Sequence, residues 1–490
     1  MSRQKLHPDN HPHSSSDDIP YALAVGIPLL GSALLFGYTL APTVLWGDDA
    51  MFQRALAVAA PTNHPVWDAL AHLFAHIPWG DLAFRANLAS AVYAIGTVGC
   101  LFLTACTLGK GTRAALSAGA ILTVSHAFWL HAVRAEVYTL HLLLFFGGLW
   151  AFLSWRRATT CWPWLVLGCA FWLAGTVNHL LLTMAFPGGL CLLLGATPPV
   201  ERKRVLLLLA ILLGLGAFSI ATLAPAFFTK LMPTAIRYVS AAFGFSLQRL
   251  IMHSILLAYQ FPLLGSLAIP GFRYLWHRDQ VVALALGLMA FFTAVFAATF
   301  NVPDSYVFYL PVYSLIALWA GLGVAALTTR WPWPRLLLVG AILLTLQIGL
   351  YRITPVLLER LAPGLIPARD LPGRPANAFF LWPPKRGYTG ARWFAETTFD
   401  LLPPNAVIVA DWTLYTPLWY LQEVEGRRQD VLTLEMSDLG LQAICENSGL
   451  RPLFLANTEP RYYPIAKLTE HFRLEPVGPV FRLIPKGSHQ

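Results

Sequence analysis

The chain has 490 residues, of which 56% are hydrophobic and only 12% are charged, and its mean hydropathy is +0.57. A soluble fold of this length cannot bury so much apolar surface, so the composition excludes an ordinary soluble protein and predicts a polytopic membrane protein. The formal net charge of +9 does not indicate nucleic-acid binding, because the basic residues form short clusters between apolar segments.

The first 19 residues are polar and rich in histidine, and we expect them to form a disordered cytoplasmic tail. Of the six cysteines, only Cys445 lies in a polar region, and the others fall in or beside apolar segments. This distribution supports neither a disulfide framework nor a zinc site. We therefore predict no metal and no cofactor.

A transmembrane helix needs ~20 mostly apolar residues, and about eleven such segments follow the tail. They lie at residues 20–41, 88–108, 114–132, 137–154, 162–177, 180–197, 205–228, 253–272, 280–299, 305–327 and 335–352. Basic pairs and triplets occupy alternate connections, on the side of the N-terminal tail, and the positive-inside rule identifies that side as the cytoplasm. Residues 20–352 are therefore predicted to form the membrane module.

From residue 353 onward, proline and glycine become frequent and continuous apolar runs end. Residues 391–402 and 414–426 are predicted helices, and residues 405–412 and 430–436 are predicted strands. Alternation of strands with helices is typical of an α/β domain. An odd number of spans would place this domain, residues 353–490, outside the cytoplasm.

Ionisable and polar residues interrupt the apolar sequence at four connections on the extracytoplasmic side. Carboxylates within or directly beside the membrane are costly, so their clustering on one face indicates a functional site. The candidates are Asp48, Asp49, His64, Arg134, Glu136, Asn178, His179 and Asp304.

Each candidate also has a purely structural interpretation. The three aspartates could cap helices, since an aspartate accepts hydrogen bonds from free N–H groups at a helix start. Arg134 and Glu136 could pair only to stabilise a turn, and Asn178 and His179 could be polar residues packed between helices. The functional interpretation rests on their shared side of the membrane.

A carboxylate near an arginine and a histidine at a lipid-facing surface suits group transfer from a phosphate-bearing lipid. The carboxylate would take a proton from an acceptor hydroxyl as general base, and the arginine would neutralise the departing phosphate. This chemistry needs no metal.

Several sequence blocks together resemble a family of polytopic glycosyltransferases of the GT-C type. This bacterial membrane family, formerly of unknown function, is related to animal endoplasmic-reticulum protein O-mannosyltransferases. An acidic motif in the first extracytoplasmic loop is the hallmark of the GT-C enzymes. The blocks, in order, are WGDDAMFQRALAVA, NHP, FRANLASA, SHAFWLHAVRAEVYTL, TVNHL, PDSYVFYLPVYSLIALWAGLG and DWTLYTPLWYLQEVEGRRQDV.

The resemblance implies inverting transfer of a sugar, mannose in particular, from a polyprenyl-phosphate donor to a hydroxyl of an exported protein. It places the active site at the extracytoplasmic face of a bacterial plasma membrane, with no nucleic acid involved. Asp48 matches the family's leading acidic residue. The family has a small residue at Asp49 and a glutamate at Met51, so the choice between Asp48 and Asp49 stays open.

Two alternatives follow from the same sequence. A transferase that builds a cell-surface glycolipid or polysaccharide would share the donor chemistry. A lipid or solute transporter would also have many spans, but it usually shows two related halves and a site near the bilayer midplane. The sequence shows no such halves.

Overall fold

In the computed structural model of the protein, the described residues are 20–486 without 59–61, 110, 159–160, 197–202, 204, 207–209, 211–213, 215–242, 303 and 367. The predicted tail at residues 1–19 and most of the predicted span at 205–228 lie outside the described residues.

The part of the chain assigned to the membrane is mostly helical in its described residues. Its helices are α1 (Tyr21–Thr39), α2 (Asp48–Ala55), α3 (Pro65–Ala71), α4 (Leu82–Thr107), α5 (Gly111–Thr123), α6 (His126–Ala132), α7 (Tyr138–Arg157), α8 (Trp162–Asn178), α9 (Phe186–Ala196), α10 (Leu247–Gln260), α11 (Ala268–Arg278), α12 (Gln280–Thr299), α13 (Leu310–Leu327) and α14 (Trp333–Leu361). Short 3₁₀ turns precede α9, α11 and α13.

Among the described residues, six helical segments are long and apolar enough to cross a membrane, or up to eight if two bent helix pairs each form one span. The bent pairs are α5 with α6, at 69°, and α10 with the segment Gly265–Arg278, at 90°. The predicted continuous span at 114–132 is therefore interrupted, at Ser125, whose hydroxyl donates to the Leu122 carbonyl oxygen (2.9 Å). A multi-pass, mostly helical membrane protein is confirmed, while the count of about eleven spans stays a prediction.

Glycines set the closest contacts among α5, α11 and α13. A Cβ on Gly271 would lie 1.7 Å from the Trp319 carbonyl oxygen, and one on Gly323 would lie 1.9 Å from that of Leu267. A Cβ on Gly321 would lie 2.5 Å from the Ala114 carbonyl oxygen. Small residues allow helix backbones to pack this closely where lipid provides no hydrophobic driving force.

The C-terminal region contains a five-stranded sheet in the order β2-β1-β3-β5-β4. The strands β2, β1 and β3 are parallel, and β5 and β4 continue the sheet as an antiparallel hairpin. The strands are β1 (Val407–Ala410), β2 (Leu432–Glu435), β3 (Leu453–Leu455), β4 (Phe472–Val477) and β5 (Val480–Pro485), and the helices are α15 (Ala376–Leu381), α16 (Gly390–Leu401), α17 (Trp412–Glu425), α18 (Asp438–Glu446) and α19 (Ile465–His471). The helices and strands predicted between residues 391 and 436 are confirmed.

The loop between α1 and α4 packs directly on this C-terminal region. Val44 and Trp46 share a hydrophobic core with residues of α16 and α17. The Tyr420 hydroxyl accepts a hydrogen bond from the Ala83 backbone N–H (3.0 Å), and Arg392 pairs with Asp81 (3.1 Å). The first loop is therefore held between the membrane helices and the α/β region, which fixes the position of its two aspartates.

Candidate functional site

The two adjacent aspartates lie in the first turn of α2 and point in different directions. Gly47 precedes them with a φ of 66°, a left-handed conformation that favours glycine. Asp49 is buried, with 2% of its surface exposed, whereas Asp48 is exposed. The helix begins two residues before Ala50, and neither carboxylate makes a capping hydrogen bond, so the cap interpretation of both is wrong.

Asp49 belongs to a buried ionic cluster built around Arg134. The Arg134 guanidinium lies 3.4 Å from the Asp49 carboxylate and 3.0 Å from that of Glu136. It also donates to His131 Nδ1 at 3.3 Å. Asp49 Oδ1 and Arg134 Nε are buried and have no hydrogen-bond partner within the described chain. The cluster thus keeps an acceptor and a donor available at its centre.

Two further cations come from the segment between α14 and α16. Lys385 is 0% exposed, and its ammonium donates only to the backbone carbonyls of Trp382 (2.8 Å) and Pro383 (3.0 Å). Arg374 is also buried and stacks on Phe379, with its centre 4.4 Å from the ring centroid. Both cations are close enough to Asp49 to influence its pKa. No carboxylate forms an ion pair with Lys385 in the described residues.

Asp48 faces the C-terminal region instead. Its Oδ1 accepts a hydrogen bond from the indole N–H of Trp412, at 2.7 Å, across 364 positions of sequence. Asp304 is near enough to influence the pKa of Glu136, and it occupies the N-cap position of a 3₁₀ turn without a capping side-chain bond. The structure therefore brings Asp48, Asp49, Arg134, Glu136 and Asp304 close together, and their role as a functional site stays a prediction.

The remaining three candidates form a second group beside this cluster. His64 Nδ1 donates to the Asn178 carbonyl oxygen (2.6 Å), and Asn178 Oδ1 accepts from the Trp67 backbone N–H (2.8 Å). The His64 and His179 rings stack with centroids 5.3 Å apart. These contacts give Asn178 a structural role in fixing the start of α3, while a substrate-binding role for the three residues stays a prediction.

Burial controls the protonation of the ionic cluster. It raises the pKa of Asp49 to about 6, against the opposing effect of Arg134, and it raises the pKa of Glu136 well above its ordinary value. Burial also holds the pKa of Lys385 well below its usual range, and the charge of Arg134 lowers it further. Both carboxyls are therefore ionised less readily than usual, which leaves the Arg134 guanidinium less fully compensated, and an added anion would favour the protonated form of Lys385.

The raised pKa of Asp49 predicts a specific dependence of stability on pH. A carboxyl whose pKa is higher in the folded state stabilises the fold fully below its unfolded pKa and loses that contribution as pH rises through about 6. Relative to Asp49→Asn, the wild type should therefore lose thermal stability between pH 4.5 and 7.5, as measured by melting temperature in detergent. Asp48→Asn is the matched control, because that side chain is exposed, and parallel curves for all three proteins would contradict the assignment.

Three residues near the two aspartates could not be predicted from the sequence. Arg374 and Lys385 lie in Pro- and Gly-rich segments that resemble a linker, and Trp412 looks like an ordinary residue of an amphipathic helix. The one unusual feature of the sequence here is that Lys385 directly follows the aromatic and proline-containing segment FFLWPP. Their role depends on tertiary contacts with a loop more than 300 residues earlier in the chain.

Part of the chain is similar in sequence to known protein O-mannosyl-transferases. Residues 50–221 match the family model described as the Protein O-mannosyl-transferase TMEM260 N-terminal domain, and the match begins directly after Asp49. Mouse Protein O-mannosyl-transferase TMEM260 is 30% identical over 113 residues, which are 22% of this chain. The match spans 16% of the mouse protein.

Two solved structures of ArnT from Cupriavidus metallidurans share the fold. The apo structure aligns with a TM-score of 0.59 at 14% identity, covering 95% of this chain and 98% of ArnT. The structure of ArnT bound to undecaprenyl phosphate aligns with a TM-score of 0.59 at 15% identity, covering 96% of this chain and 99% of ArnT. Residues 50–221 are therefore similar in sequence to the TMEM260 N-terminal domain, the chain has an ArnT-like fold, and the resemblance to GT-C-type membrane glycosyltransferases is confirmed.

Proposed function

We propose that the protein is an inverting glycosyltransferase that moves a sugar from a polyprenyl-phosphate donor to an acceptor hydroxyl. The sugar is mannose and the acceptor is a serine or threonine of an exported protein, by analogy with the O-mannosyltransferase family. The reaction takes place at the extracytoplasmic face of a bacterial plasma membrane and uses no bound cofactor.

One observation carries this proposal: buried cations surround Asp49 without enough carboxylates to neutralise them. Arg134 is shared between two carboxylates, and Lys385 donates to backbone carbonyls, lies over the Phe379 ring and has no ion-pair partner among the described residues. An uncompensated buried charge is costly, so such a cluster favours binding of an anion. A phosphate at the membrane surface meets that requirement, and arginine can grip two of its oxygens.

In the proposed reaction, Asp48 acts as the general base and Asp49 positions Arg134. The exposed Asp48 takes the proton from the acceptor hydroxyl, whose oxygen then bonds to the anomeric carbon of the sugar. The bond between that carbon and the phosphate oxygen breaks on the opposite face, and its electron pair leaves with the polyprenyl phosphate. Arg134, Arg374 and Lys385 stabilise the charge that develops on the phosphate, and Asp49 holds Arg134 in place.

The alternatives have weaker support. Both bent helix pairs resemble the interrupted helices of transporters, but the ionic cluster lies at connections beyond the helix ends instead of at their middle. Synthesis of a cell-surface glycolipid or polysaccharide would use the same ionic cluster, so only the acceptor distinguishes it.

A reconstituted transfer assay tests the proposal. The purified protein in liposomes should release polyprenyl phosphate from polyprenyl-phosphate mannose when a peptide containing serine or threonine is present, and the product linkage should be inverted. Polyprenyl-phosphate sugars other than mannose and a glycolipid acceptor serve as comparisons. Net movement of the intact lipid across the bilayer without sugar transfer would contradict the transferase and support a transporter.

The orientation of the C-terminal region gives a second test. Cys445 is an exposed thiol, so a membrane-impermeant maleimide should label it in intact spheroplasts. Cys445→Ser is the control for specificity, and Ala158→Cys in that background should react only after permeabilisation, because it follows the basic end of α7. Labelling of Cys445 only after permeabilisation would place the proposed site on the wrong side.

A further inference from the structure

Helix α17 presents a row of aromatic rings that begins at the exposed aspartate. Trp412, Tyr415 and Trp419 are half-buried and lie on one side of the helix, at positions i, i+3 and i+7. Their ring centroids are 6.3 Å and 5.3 Å apart, and successive rings are tilted by 31°. Trp412 donates to Asp48 at one end, so the row, here called the aromatic strip, leads directly to the proposed general base.

The far end of the strip is fixed by α2. The Arg54 guanidinium lies 3.6 Å from the centroid of the Trp419 ring, and its Nε donates to Glu423 (2.6 Å). The Trp419 indole N–H donates to the same carboxylate, also at 2.6 Å. Asp48 and Arg54 occupy the two ends of α2, so α2 and the strip run side by side. The rings are therefore held in position before any ligand binds.

The charges beside the strip are mainly negative. The carboxylates of Glu423 and Glu435 both lie close enough to Tyr415 to raise the pKa of its hydroxyl, after the larger effect of burial. Arg54 is paired with Glu423, whereas neither Asp48 nor Glu435 forms an ion pair within the part of the chain that the structure describes. Such a surface repels phosphorylated or acidic acceptors and attracts neutral or basic ones.

A free strand edge lies beside the same surface. In the described part of the chain, β2 is an edge strand that pairs only with β1, and its residues Leu432 and Glu435 are exposed. Helix α17 packs against β2, and Glu435 ends that strand near Tyr415. An exposed edge offers backbone donors and acceptors to an extended polypeptide, and it offers no comparable pairing to a sugar chain.

From these observations, we propose that the aromatic strip and the adjacent edge of β2 form the docking surface for the acceptor, an extended polypeptide with neutral or basic residues around its hydroxyl. The inference rests on the proposed transferase function and adds the location and chemical class of the acceptor. The aromatic rings hold side chains of the polypeptide, and Trp412 fixes the carboxylate that receives the proton.

Kinetics with defined peptides test this docking surface. Tyr415→Ala should raise the KM for a serine-containing peptide about 3- to 10-fold, as expected for loss of one aromatic contact. The affinity for polyprenyl-phosphate mannose should not change. Trp393→Ala is the matched control, since that tryptophan is 51% exposed on α16 and outside the strip. Wild-type KM values in Tyr415→Ala and Trp419→Ala would overturn the proposal.

A charge reversal separates docking from folding. Glu435 is exposed at the end of an edge strand, so Glu435→Lys should fold normally. The wild type should prefer peptides with lysines beside the serine over peptides with glutamates, and Glu435→Lys should reduce or reverse that preference. An unchanged preference would overturn the proposal.

Two outcomes distinguish this inference from the proposed function. Transfer to a neutral oligosaccharide but to no peptide, with its KM raised in Tyr415→Ala, would overturn the polypeptide assignment and leave the transferase intact. A wild-type protein that binds the donor but releases no polyprenyl phosphate with any acceptor would overturn both.

Discussion

Asp48→Asn is expected to fold normally, to bind the polyprenyl-phosphate sugar and to lose ~100-fold to 10,000-fold of its turnover, the usual effect of removing a general base. The reason is geometric: Asp48 is the exposed carboxylate of the pair, and an acceptor hydroxyl approaching from outside the membrane reaches it first. Turnover of the purified variant, beside its melting temperature, measures the effect.

Asp49→Asn is the matched comparison at the adjacent position. Asp49 is buried and pairs with Arg134, so its loss should mainly weaken donor affinity and should reduce turnover less than the loss of Asp48 does. A well-folded but inactive Asp49→Asn beside an active Asp48→Asn would transfer the role of base to Asp49. Full activity in both variants would remove this loop from the catalytic mechanism.

Lys385→Met is expected to have two opposite effects. A buried lysine amine with no carboxylate partner among the described residues destabilises the free protein, so its replacement by an apolar side chain of similar length should raise the melting temperature. If Lys385 contacts the donor phosphate as proposed, its loss should weaken donor binding by about 100-fold, since breaking a buried charge pair typically costs ~2–5 kcal/mol. Binding of a fluorescent polyprenyl phosphate to the purified protein measures this change.

The combination of effects identifies a ligand-binding cation. A lysine that only supports the fold would give a lower melting temperature and unchanged donor binding. Lys486→Met provides the control, because this lysine donates to the Thr469 carbonyl oxygen in the C-terminal sheet region, away from Asp49. Arg134→Lys adds a further comparison: it keeps the charge but loses the planar fork that can hold two phosphate oxygens, so donor affinity should fall while folding is retained.

Much of the candidate site could be predicted from the sequence because successive connections in a polytopic protein alternate between the two sides of the membrane. Once basic connections alternate along the chain, every second connection falls on the opposite face, and that rule grouped Asp48, Arg134 and Asp304 without any contact information. It could not separate structural from functional polar residues. Asn178 lies on the predicted face, yet its side chain holds the backbone of Trp67.

The cap interpretation of Asp49 was wrong for a local reason. Gly47 adopts a left-handed conformation and starts α2 earlier than the apolar pattern of residues 50–56 indicates. Because α2 begins at Asp48, both aspartates lie within the helix and not at its cap. Adjacent residues of a helix point about 100° apart, so only one of the two carboxylates is buried. The sequence pattern fixes helix ends poorly, because the hydrogen bonds that end a helix depend on its neighbours.

Composition and periodicity by themselves determined that this is a polytopic membrane protein with a following α/β region, because apolar surface on this scale has to be removed from water and because strands and helices have different repeats. The tertiary structure alone decided that Asp49 is buried against Arg134 while Asp48 meets Trp412. It alone brought Lys385 and Arg374 to the first loop. Burial and charge at the site are set by contacts between segments hundreds of residues apart, as between Asp48 and Trp412, and no local pattern in the sequence records those contacts.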